Sequence, residues 1–162
     1  MIFKTGVVAA FAWSLAASLS TPAAAAEQQC GSFSLAGGDK VINVIDNPPE
    51  GASPGDVRAG SRQLVDEGGA VIADVHFVAT QTATPTATRG SVLASQYFVK
   101  FSNGWIASNS VYELADAADK SQRAGNAILV VSGGTGAFAN ASGKIEIEAG
   151  DPPTYIFQLS CD

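Results

Sequence analysis

Residues able to do chemistry are few in this chain, and their types limit the reactions open to it. His76 is the single histidine, so a histidine-based metal cage is not available. With Asp74 two residues upstream it forms an Asp-x-His pair that suits a proton donor and its orienting carboxylate. The plain alternative is a solvated strand face, because the residues that alternate with the pair, Val75 and Phe77, carry the apolar pattern. Gly134-x-Gly136-x-x-Ala139 after the apolar run Ala127–Val131 fits a loose dinucleotide fingerprint, but that motif needs a helix to receive the pyrophosphate. Here Asn140-Ala141-Ser142-Gly143 leads directly into the alternating run Lys144–Glu148, which argues against nucleotide binding.

The elements that must position these groups read as strands. Val41–Ile45 is β-branched and ends at Asp46-Asn47-Pro48-Pro49, and the Pro- and Gly-rich stretch through Gly55 is a loop. Asp56–Asp66 and Ala70–Thr80 follow, the second with Val71, Ala73, Val75, Phe77 and Ala79 on one face. Gln81–Thr88 is a threonine-rich loop. Gly90–Phe101 and Trp105–Leu114 flank Ser102-Asn103-Gly104, where Asn-Gly signals a hairpin. Ala115–Gly125 is a polar surface connection. Ala127–Val131, Lys144–Glu148 and Thr154–Cys161 complete about eight strands at hairpin spacing, the pattern of an up-and-down barrel or a sandwich. Between the first two of these, Ser132–Phe138 reads as a tight glycine corner; its plainest role is to turn the chain and pack Phe138 under the sheet.

Met1-Ile2-Phe3-Lys4, the apolar run Gly6–Leu19 and the small residues up to Ala26 have the order of a secretory signal peptide. Cleavage after Ala26 leaves one domain, 27–162, and removal of Lys4 takes the formal net charge from −6 to −7. An acidic domain without a basic cluster argues against nucleic acid and an anionic membrane as partners, and the apolar run is short for a membrane span. Export to a periplasm or to the outside makes the two cysteines, Cys30 and Cys161, a predicted disulfide.

The spacing Gly133-Gly134-Thr135-Gly136-x-Phe138-x-x-Ala141-x-Gly143 resembles a signature shared by plant dirigent proteins and allene oxide cyclases. Gly55-Asp56 with Leu64-x-Asp66 and Gly69, and Tyr97-Phe98 before Gly104, look similar in the same order. The resemblance implies a calycin-type, eight-stranded antiparallel up-and-down β-barrel that guides cyclisation or radical coupling of an apolar small molecule. It implies a disulfide between the two ends of the domain as well, dimers or trimers formed through the outer faces, and neither a metal nor a redox cofactor. The glutamate and asparagine that allene oxide cyclases carry on the first strand fall on Val41 and Asn43, so Asn43 matches and the carboxylate is lost, with Asp46 the nearest acid. Catalysis would then be mainly preorganisation, assisted by Asn43 and Asp46. Val41, Val75, Phe77, Phe98, Trp105 and Tyr155 are the residues expected to line the interior. A cavity with a few convergent polar groups would favour an enzyme, a wholly apolar one a carrier, and a packed interior a structural domain.

Overall fold

The computed structural model describes residues 30–87, 89–114 and 125–162. The leader 1–26 and nearly all of the connection 115–125 lie outside the described residues. Eight strands follow in chain order: β1 (Ser32–Ile45), β2 (Val57–Val65), β3 (Val71–Ala83), β4 (Val92–Phe101), β5 (Gly104–Glu113), β6 (Ala127–Gly136), β7 (Ser142–Glu148) and β8 (Thr154–Ser160). Each pairs antiparallel with the next, and β1 pairs with β8 to close an all-β barrel.

Two-residue alternation sorts the side chains. On β4, Leu93, Ser95, Tyr97, Val99 and Phe101 are buried while Gln96, Phe98 and Lys100 are exposed. The Asn-Gly hairpin fixes the register of β4 and β5 by setting Phe101 opposite Gly104. One end of the barrel is filled. Phe33 stacks on Phe157 with centroids 4.5 Å apart, and Phe101 lies 4.8 Å from Phe138, which is 0% exposed. The disulfide Cys30–Cys161 joins the residues just before β1 and just after β8 at this closed end, its Cα atoms 6.0 Å apart.

Three boundaries differ from the sequence expectation. β1 begins at Ser32 rather than Val41, because Phe33 and Leu35 face the core ahead of the glycine pair Gly37-Gly38 that reads as a break. β3 continues to Ala83, into the threonine-rich stretch. β6 runs through the glycines to Gly136, and the turn falls at 137–141, closed by Phe138 N–H donating to Thr135 O and Ala141 N–H donating to Phe138 O. A Cβ on Gly134 would meet the carbonyl oxygens of Trp105 and Phe138, so that glycine allows a close approach of backbones rather than a turn.

β1 has two halves. Ser32–Ala36 pairs with β8; past a bulge between Gly37 and Lys40, residues 40–45 pair with β2. The extra residue reverses which side chains face inward. Arg62 supports the bulge by donating from Nη1 to Gly38 O at 3.1 Å.

Candidate functional site

Opposite the aromatic plug, where β1–β2, β3–β4 and β7–β8 connect, the barrel opens into a cavity of about 280 Å³. Its wall comes from inward-facing strand positions: Arg58 and Arg62 on β2, Phe77 on β3, Tyr97 on β4, Tyr112 on β5 and Tyr155 on β8. Lys40 and Ile42 enter from β1, and Glu148 to Asp151 with Pro153 form part of the rim.

The wall is built by register. Gly60 lies opposite Phe77 and Phe77 opposite Tyr97, so three adjacent strands present one row, and the two rings stack with centroids 5.5 Å apart at 25°. Arg58 is held from below by β3, opposite Ala79, and is only 5% exposed. Burial lowers its pKa from the ordinary guanidinium value, while the neighbouring Tyr112 and Asp56 act in the other direction. An arginine still keeps its charge under these conditions.

Asp56 fixes the loop that leads into β2. Its carboxylate accepts from Ser53 N–H at 2.9 Å, Asn47 N–H at 3.0 Å and Ser53 Oγ at 3.3 Å. Backbone bonds then tie this loop to β3: Gln81 N–H donates to Asp56 O and Gly55 N–H to Gln81 O. The loop is thereby part of the wall's support. Gln81 itself points inward, 2% exposed, and its amide nitrogen and oxygen have no hydrogen-bond partner among the described residues.

The cavity joins flat rings, phenolic hydroxyls and guanidinium groups in one small volume. Phe77 and Tyr97 offer faces to a planar ligand, and Arg58 and Arg62 offer planar donor forks to an anionic or electron-rich group on it.

Of the residues named from sequence, Phe77 and Tyr155 line this cavity. Val75 faces inward below it, 0% exposed in the packed core. Asn43 is corrected by the bulge: it pairs with Ala59 on the outer wall and is exposed, while Ile42 takes the inward place. Val41, 61% exposed, shares that outer face. Asp46 sits in the β1–β2 loop, where Oδ2 accepts from Gly51 N–H at 3.2 Å. Phe98 and Trp105 lie on the outer face, the latter 6.1 Å from the exposed His76 ring. Arg58 and Arg62 were not among the expected residues. Their signal was present: they alternate with Gly60 and the core residue Leu64, which puts both cations on the inner face.

Fold and cavity together define a small, closed, eight-stranded antiparallel barrel with an interior pocket at one end. No protein-family model matches the chain, and no curated protein matches it. Among solved structures it is similar to pyocyanin demethylase, with a TM-score of 0.67 and 18% identity over 80% of this chain and 99% of that one. It is also similar to the Diels Alderase AbmU from Streptomyces koyangensis, with a TM-score of 0.56 and 14% identity over 81% of this chain and 64% of that one. Both are small eight-stranded barrels of the same general kind, and at these identities the likeness is one of fold.

Proposed function

We propose that this chain is an exported barrel that takes a small, ring-bearing organic molecule into its open end and holds it in one conformation during a cyclisation or coupling. The observation that carries the reading is the cavity of about 280 Å³ in which Phe77, Tyr97, Tyr112 and Tyr155 converge with Arg58 and Arg62. Its size suits a compact ligand, and its polar groups favour an enzyme over a carrier of purely apolar cargo. A reaction driven by folding the substrate needs few reactive side chains, since orientation alone can supply several kcal/mol. The guanidinium of Arg58 and the tyrosine hydroxyls are placed to stabilise negative charge that develops on the bound molecule. The glycine-corner resemblance to allene oxide cyclases and dirigent proteins supports this reading, as do two fold neighbours named for chemistry on small organic molecules, one of them for a ring-forming reaction. Export is supported by the order of residues 1–26 and by the disulfide.

The test is native mass spectrometry of the protein purified from its own source, followed by turnover assays on any retained compound. A bound aromatic molecule that the protein converts supports the proposal. A bound molecule that is never converted makes the barrel a carrier, and a barrel that stays empty in host metabolite extract is a structural domain.

A further inference from the structure

We propose that two copies of this chain pair antiparallel through the free edge of β1, about a two-fold axis at Asn43. The proposal is independent of the small-molecule reading. Pairing of β1 with β8 stops at Ala36, and past Gly37 no described strand covers that side of β1, although β1 continues to Ile45. The uncovered run is Val41-Ile42-Asn43-Val44-Ile45, with no charge, proline or glycine to blunt it. Its apolar side chains are open on both faces: Val41 is 61%, Ile42 37%, Val44 47% and Ile45 56% exposed. An open edge of β-branched residues is a template for another strand.

The sequence names the partner. A two-fold contact requires one strand to complement its own reverse. Lys40-Val41-Ile42-Asn43-Val44-Ile45-Asp46 does so: with Asn43 opposite itself, Ile42 faces Val44, Val41 faces Ile45, and Lys40 faces Asp46. Around the central Asn43 pair, each pair is then β-branched against β-branched or cation against anion, the pairs that stabilise neighbouring strands. Moving the axis to Ile42 sets Lys40 against Val44 and Asp39 against Ile45; moving it to Val44 sets Ile42 against Asp46. The charges therefore select one register. Lys40 and Ile42 line the cavity, so the edge of the second copy would stand beside the mouth and Val44 of that copy would extend its wall.

The test is light scattering and native mass spectrometry of the exported chain at micromolar concentration. The expected result is a dimer that Val41→Lys converts to a folded monomer, with a melting temperature that no longer depends on protein concentration. Lys40→Asp alone and Asp46→Lys alone each weaken self-association by about tenfold or more. Mixing those two variants restores a dimer, because each edge then carries the charge the other lacks. Asn43→Cys gives a covalent dimer under mild oxidation, whereas Val71→Cys, on a paired strand, does not; opposed strand residues lie within disulfide reach. A monomeric wild type, a trimer, or a dimer indifferent to both charge variants and not trapped by Asn43→Cys would each overturn the proposal.

Discussion

Gly60 on β2 stands directly opposite Phe77 on β3, and the Phe77 ring lies over the place that a Cβ on Gly60 would occupy. The ring edge would be 2.8 Å from that Cβ, and the carbonyl oxygen of Val41 would also be struck. The missing side chain is what allows the ring to lie flat against the cavity wall. Gly60→Ala is therefore expected to destabilise the barrel by about 1–3 kcal/mol and to tilt Phe77 into the cavity. Urea unfolding and the crystal structure of the variant check this, and unaltered stability with Phe77 in place would refute it.

Arg58 is expected to matter for binding beyond its effect on folding. Arg58→Met takes away the cation beside the buried Asp56 carboxylate, so it should cost up to about 3–5 kcal/mol of stability, and binding is compared under conditions where the variant is folded. Asp56 keeps its donors Ser53 and Asn47 in that variant. Titration calorimetry with 2-naphthoate as probe should show binding to the wild type that weakens about tenfold or more in Arg58→Met, while the neutral 2-naphthalenemethanol is little affected. Equal losses for both probes would remove the guanidinium from the site.

Phe138 is expected to act on stability alone. It is 0% exposed and packs against Phe101 at the end away from the cavity. Phe138→Ala should cost about 3–5 kcal/mol in denaturant unfolding and leave naphthoate affinity unchanged while the variant is folded. A variant of normal stability would mean that the corner does not plug the barrel.

Breaking the Cys30–Cys161 bridge opens a loop whose ends are 131 residues apart. The chain-entropy account gives about 4–5 kcal/mol for such a closure, so Cys161→Ser should lower the unfolding free energy by up to that amount. Thermal unfolding of the oxidised wild type and the variant measures the difference. Identical curves would mean that the closed end holds together without the bridge.

The barrel was legible in the sequence because most of its strands keep one apolar face, as in Val71 to Ala79, and because Asn103-Gly104 marks a hairpin. The cysteine pairing followed from an even count and an expectation of export. The site was read less well, for a physical reason. The bulge at Gly37–Lys40 inserts one residue into β1 and exchanges inner for outer positions, so that Ile42 took the place expected of Asn43. A glycine pair announces a break in a strand but not its phase. The two arginines escaped notice because β2 reads as a polar strand, and charge facing inward is recognised only once Leu64 is known to be core. Phe98 and Trp105 show the converse, large aromatics spent on the outer wall.

The packed end and the open end of this barrel differ in what change they tolerate. Rings, corner and disulfide lie together at one end; the mostly exposed connecting residues 46–52, 84–87 and 149–153 gather at the other. Substitutions that reshape those connections act far from the groups that hold the strands closed, so ligand preference can drift while the melting temperature stays put. The molecule is in this respect a cup with an exchangeable lip: a library confined to the lip, built on an unaltered base, should yield folded variants at high frequency and new ligands among them.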